Sequence, residues 1–87
     1  MERNHAVIAI EDGVWKLQSA ILPRADGLDQ FLVGNDRLRY LPPEEKAVIS
    51  FAANAQLFDT QLRAELRKGL SPGIMSDLVA RGTIVLE

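Results

Sequence analysis

The side chains that could carry out chemistry are few and scattered in this sequence. It contains no cysteine and one histidine, His5, so one chain offers neither disulfides, nor thiolate metal sites, nor an imidazole cluster. His5 stands near a terminus, and we interpret it as a surface residue or as a residue at the start of a strand. Nucleophile-elbow, Walker, dinucleotide-binding, zinc and calcium-loop patterns are absent. We therefore expect a protein that is not an enzyme and that has no cofactor and no bound metal.

Length and composition predict one small domain spanning residues 1–87. The chain is 47% hydrophobic and 25% charged, which is ordinary for a globular protein and too apolar for a disordered one. The net charge is −2, and residues 1–40 and 41–87 each carry five cations and six anions. Neither half is a basic arm for nucleic acid, and no apolar run is long enough to span a membrane. We expect a cytoplasmic protein with no membrane partner.

Residues 1–41 are predicted to be mainly strands. The apolar run 6–10, the Glu11-Asp12-Gly13 turn and the run starting at Val14 are typical of a hairpin. Residues 14–22 could continue as a strand with Trp15, Leu17 and Ile21 on one face, or as a helix, and we favour the strand.

The next segment leaves two alternatives open. Residues 28–33 fit either a strand of a second hairpin or a short helix capped by Asp26. Residues 37–41 are predicted to form a strand, because alternation places Leu38 and Tyr40 on one face and two arginines on the other.

The second half is predicted to be helical. Residues 43–68 read as one long helix that opens with prolines and acidic residues and ends before Gly69. A short helix over 72–81, capped by Ser71, and a terminal strand over 83–86 follow. The predicted fold class is α+β: a small antiparallel sheet of hairpins packed against one long and one short helix.

The long helix carries a second apolar row outside its core face, formed by Ile49, Ala53, Leu57 and Ala64. Such a row is either covered by the short helix or the last strand of the same chain, or it is a contact surface for another protein, with a second copy of this chain as one candidate. We expect a non-enzymatic protein-binding module, a small stoichiometric regulator, inhibitor or accessory subunit of a larger assembly. Many phage and plasmid accessory proteins show the same lack of chemical motifs, so a phage or plasmid accessory protein is one candidate.

The order helix, Gly-Leu-Ser-Pro-Gly turn, short helix and strand over 60–86 resembles the second half of a winged helix-turn-helix. That resemblance implies a DNA-binding regulator as the alternative function. The residues that would contact nucleic acid are then Arg63, Arg67, Lys68, Ser76 and Arg81.

Overall fold

The computed structural model describes residues 3–24, 26–52 and 56–87. Its elements are β1 (Arg3–Glu11), β2 (Val14–Leu17), α1 (Asp26–Val33), α2 (Asp36–Arg39), a 3-10 turn (Pro43–Glu45), β3 (Lys46–Ala52), α3 (Gln56–Lys68), α4 (Pro72–Ala80) and β4 (Ile84–Leu86). The four strands form one sheet in the order β2-β1-β3-β4, and every pairing is antiparallel. The predicted α+β class with a small antiparallel sheet is therefore confirmed.

The β1–β2 hairpin forms where the sequence predicted it. Asp12 and Gly13 both have positive φ, 53° and 80°, which is the signature of the type I′ turn that matches strand twist. The two strands pair in a register that sets Ile8 opposite Leu17. The strand favoured over 14–22 is shorter than predicted, because β2 ends at Leu17. Trp15 and Leu17 lie on one face of β2 and pack against the same core cluster as Ile21, which lies beyond the strand.

The predicted long helix over 43–68 is wrong in its first half. Residues 46–52 form β3, the strand that pairs with both β1 and β4, and the helix begins only at Gln56. A central strand is buried on both faces, so its sequence lacks the apolar–polar alternation of a half-buried strand. The alanines of this region have high helix propensity, but pairing on two sides outweighs that preference.

Helices cover both faces of the sheet. On one face, α3 and α4 bury Ile8, Ile49 and Phe51 of the strands together with Leu66 and Met75 of the helices. On the other face, α1 and α2 cover a smaller cluster that includes the buried Leu28 and Leu38. Alternate residues of β1 and β3 supply the two clusters, because successive side chains of a strand point to opposite faces.

Two further segments of the first half are helical. Residues 26–33 form α1, which settles the open choice between strand and helix. The strand predicted over 37–41 is wrong: Asn35 caps α2 by accepting a hydrogen bond from the Leu38 backbone N–H. Leu38 is buried while Tyr40 is 74% exposed, so the two side chains do not share an environment. Four alternating residues are too short a pattern to prevail over a favourable N-cap.

The last two elements agree with the sequence. Ser71 accepts a hydrogen bond from the Ile74 N–H and Pro72 occupies the first turn of α4, the arrangement expected at a helix start. Gly69, which has φ of +117°, ends α3. The strand predicted over 83–86 is present as Ile84–Leu86.

Candidate functional site

An apolar groove lies between α4 and the sheet. α3 contacts β2, while α4 contacts both edge strands of the sheet, β2 and β4. α4 therefore crosses the sheet, and a strip of the sheet surface next to α4 stays open. The groove, of about 480 Å³, opens along this strip, with the 3-10 turn on its other side. We name it the α4 groove; it is lined by Ile8, Trp15, Pro43, Glu44, Lys46, Ala47, Pro72, Met75, Ser76, Val79, Ala80 and Leu86.

The lining of the α4 groove is mostly apolar. Ile8 and Met75 are buried and Trp15 is half-buried, so they supply hydrocarbon and aromatic surface. The charge of Lys46 is engaged elsewhere, because its Nζ donates to the backbone oxygens of Leu38 and Arg39 at 2.8 and 2.9 Å. An aliphatic or aromatic side chain would exclude water here, which favours binding.

Strand β4 borders the α4 groove and contributes Leu86 to it. Leu86 is 54% exposed and Val85, on the opposite face of the strand, is 43% exposed. β4 is also the last strand of the sheet order. The groove therefore continues into an exposed apolar sheet edge.

A second, smaller cavity of about 340 Å³ lies between α3 and α4. Leu62, Leu70 and Leu78 are its buried residues, and the exposed Glu65 and Arg81 line it with opposite charges. This cavity is a crevice between α3 and α4, and its buried leucines are part of the main core cluster.

The structure does not assemble the predicted partner-binding row. Ile49 is fully buried in β3, so its place in a surface row is wrong, for the same reason that the helix over 46–52 is wrong. Ala53 and the side chain of Leu57 lie outside the described residues. Ala64 is exposed on α3 and lines neither cavity.

The residues of the DNA-binding alternative are spread over α3, α4 and the residue that follows it. Arg67 and Lys68 are exposed in the last turn of α3, while Arg63 is half-buried. Ser76 lines the α4 groove, whereas Arg81 is the C-cap of α4 and lines the smaller cavity. The order α3, α4, β4 matches the predicted order over 60–86.

His5 is the third residue of β1, in agreement with the predicted position at the start of a strand. Its Nε2 lies 3.4 Å from Glu87 Oε1, and its side chain is only 17% exposed. Its cross-strand neighbour Ser50 is buried, and the Ser50 hydroxyl accepts a hydrogen bond from Arg3 Nε at 3.2 Å. Among residues 3–24, 26–52 and 56–87 no three acidic or histidine side chains converge on a common point.

Sequence reasoning missed the α4 groove. Met75 and Val79 are four residues apart on one helix face, which indicates a buried or half-buried stripe, and Trp15 reads as a core residue. The groove depends on how far α4 lies from the 3-10 turn, and that distance is set by tertiary packing.

Comparison with protein-family models, with curated proteins and with solved structures finds no match to this chain. Within the part of the chain that the structure describes, no helix has both the length and the apolar character needed to cross a lipid bilayer.

Proposed function

We propose that the protein is a non-enzymatic protein-binding module, a small stoichiometric regulator, inhibitor or accessory subunit of a larger assembly. Its binding surface is the α4 groove together with the exposed edge formed by β4. The observation that carries this proposal is an apolar groove of about 480 Å³ that is open at the protein surface. Its volume falls in the range of about 300–1,000 Å³ that is typical of small-ligand pockets, which gives room for an apolar side chain of a partner protein.

The groove suits an apolar anchor from a partner protein. Binding energy at protein interfaces is concentrated in a few aromatic and aliphatic side chains that enter well-packed pockets. Ile8 and Met75 form an apolar floor, and Trp15 offers an aromatic surface beside it. The exposed Ser76 and Glu44 at the groove supply polar groups of the kind that surround such an anchor and set its orientation.

Affinity capture with two matched variants tests this proposal. Ala80 lines the groove and Ala64 does not, yet both are exposed alanines on helices. Ala80→Glu places a carboxylate in the apolar groove, whereas Ala64→Glu adds the same group on α3. We expect a partner captured from the source organism's lysate by the wild type to be retained by Ala64→Glu and lost by Ala80→Glu. Circular dichroism confirms that both variants are folded.

Two results would contradict the proposal. If Ala80→Glu retains the captured partner at wild-type levels, the α4 groove is not the binding surface. If Ala64→Glu alone loses the partner, binding takes place on α3, at one of the positions that the sequence first suggested.

A DNA-binding regulator is the second proposal, and the order of α3, α4 and β4 favours it. Arg67, Lys68 and Arg81 are exposed and could contact phosphates. Its support is weaker because the side chains exposed on α4 include Ile74 and the acidic Asp77, and a carboxylate repels the phosphate backbone. A gel shift at low salt should show a retarded band that weakens with added salt and with Arg67→Ala. Absence of any retarded band would exclude this proposal.

A further inference from the structure

We infer that the occupant of the α4 groove is an amphipathic helix of a partner protein, with apolar residues on the face that enters the groove and a lysine or arginine beside them. This inference rests on the proposed function and adds the chemistry of the partner. Three observations carry it: the direction in which the groove runs, the pairing of the strands that form its floor, and a carboxylate on its rim that has no counter-charge.

The groove runs across the strands of the sheet and beside α4. Trp15 and Leu86 line it from the two outer strands, and Ile8 and Ala47 line it from the two strands between them. Neighbouring strands lie about 4.8 Å apart, so four strands span about 14 Å from the first to the last. About nine or ten residues of helix cover that distance. A helix in the groove would pack alongside α4 at the usual separation of about 8–10 Å and extend the helical layer that α3 and α4 form.

The floor of the groove offers no backbone partner to an extended chain. Ile8 pairs with Leu17 of β2 on one side and with Ala47 of β3 on the other, so the backbone of β1 is used within the sheet. At the β2 edge, Trp15 and Leu70 exchange backbone hydrogen bonds of 2.7 and 2.8 Å. An extended segment would lay its own N–H and C=O groups on apolar side chains without partners, which is costly. A helix satisfies those groups internally, so the floor favours a helix.

The side chains of the groove suit one apolar stripe of such a helix. Met75 and Val79 form the wall on α4, four residues apart and therefore one above the other on the same helix face. Trp15 and Leu86 stand at the two ends of the groove. Apolar residues at i, i+4 and i+7 of a helix lie along one face, so they can follow a groove of this length.

Glu44 gives the occupant its charge. Glu44 is exposed on the 3-10 turn, and its side chain makes no ion pair or hydrogen bond with the residues that the structure describes. The other charged lining residue, Lys46, directs its Nζ to the backbone oxygens of Leu38 and Arg39. A lysine or arginine beside the apolar stripe would pair with Glu44, whereas a carboxylate there would be repelled. The rim therefore favours a basic amphipathic helix.

Peptide titrations followed by Trp15 fluorescence test the helical occupant. The probe is an alanine-based peptide of about 15 residues, long enough to form a helix, with leucines at i, i+4, i+7 and i+11 and lysines on both sides of them. It contains no tryptophan, so the emission belongs to Trp15, the single tryptophan of the chain. We expect this peptide to shift the emission to shorter wavelength in the wild type and not in Ala80→Glu. A version with a central proline should bind on the order of 10-fold or more weakly, because proline breaks the helix.

A charge exchange tests the role of Glu44. Replacing the lysines of the peptide by glutamates should weaken binding to the wild type roughly 5-fold, the size expected for an exposed charge pair, and added salt should reduce that difference. Glu44→Gln should bring the difference to about 2-fold or less. Glu45→Gln is the matched control and should keep the difference, because Glu45 belongs to the same turn and does not line the groove.

Three results would overturn the inference: no Trp15 shift with the leucine–lysine peptide at millimolar concentration, equal binding of the proline peptide, or the same preference for lysine in Glu44→Gln and Glu45→Gln. None of them decides the proposed function, which is tested separately by partner capture with Ala80→Glu and Ala64→Glu. A captured partner that Ala80→Glu loses, together with a proline peptide that binds as well as the helical one, would show that the groove binds a segment that is not helical.

Discussion

The turn between α3 and α4 gives the sharpest stability prediction, because two nearby glycines should respond to alanine with opposite signs. Gly69 has φ of +117°, and a Cβ there would lie 2.7 Å from Val14 Cγ2 and 3.3 Å from Val14 Cβ. Valine is stiff at χ1, so this contact cannot be relieved by rotating the end of a flexible side chain. Gly73, in the first turn of α4, has no atom within 4 Å of the same position.

The magnitudes follow from these two environments. A side chain at the strained φ costs about 1–3 kcal/mol, and forcing Val14 to move adds about 1–3 kcal/mol. Gly69→Ala should therefore lower the free energy of unfolding by about 2–6 kcal/mol, a large part of the ~4–13 kcal/mol expected for 87 residues. Gly73→Ala should raise it by about 0.5–1 kcal/mol, because alanine has the higher helix propensity.

Urea denaturation followed by circular dichroism measures both variants under the same conditions. The expected result is a lower midpoint for Gly69→Ala and a slightly higher one for Gly73→Ala, with similar slopes. A neutral or stabilising Gly69→Ala would refute the reasoning. It would mean that the positive φ of Gly69 is not what brings Leu70 against Trp15, where the two backbones exchange hydrogen bonds. The position of α4 beside the groove would then need another explanation.

Three further stability predictions test the elements that the sequence assigned wrongly, each measured by urea denaturation. Ile49→Ala should cost about 2–5 kcal/mol, because the side chain is fully buried in β3; a change below 1 kcal/mol would contradict its place in the core. Leu38→Ala should lower the free energy of unfolding by a similar ~2–5 kcal/mol. Tyr40 is 74% exposed, so Tyr40→Ala should change it by less than ~0.5 kcal/mol. Equal effects of the two variants would indicate a strand with both side chains on one face. Asn35→Ala removes the N-cap of α2 and should cost about 0.5–2 kcal/mol, whereas a neutral variant would show that the cap does not hold α2.

The elements predicted correctly from sequence are those with strong local signals. Asp12-Gly13 supplies the two positive φ values of a type I′ turn, and Ser71-Pro72 supplies an N-cap and a helix-compatible proline. Both signals act over a few residues, so they are visible without knowledge of the rest of the chain. The terminal strand is likewise rich in β-branched residues.

Elements that depend on distant partners were missed. Residues 46–52 become a strand because β1 and β4 pair with them on both sides, and neither partner is adjacent in sequence. Leu38 lies on α2 and is buried in a cluster with Leu28 of α1 and residues of β1, although four-residue alternation favoured a strand.

The candidate site could be predicted least. The α4 groove brings together Ile8, Trp15, Met75 and Leu86, which span almost the whole chain. These residues belong to four different elements, β1, β2, α4 and β4. The sequence of these elements does not indicate that they pack with an open groove between them. The predicted row through Ile49 was wrong at that residue, because Ile49 lies in β3 and its side chain is fully buried.

The fluorescence of Trp15 tests the central claim most directly, because it is the single tryptophan of the chain and lines the α4 groove. Titrating the protein with its purified partner should shift the Trp15 emission to shorter wavelength as the groove is desolvated. The shift should saturate at one equivalent of partner in the wild type and in Ala64→Glu, and be absent in Ala80→Glu. A partner that binds stoichiometrically while the Trp15 emission stays unchanged would contradict binding in the groove.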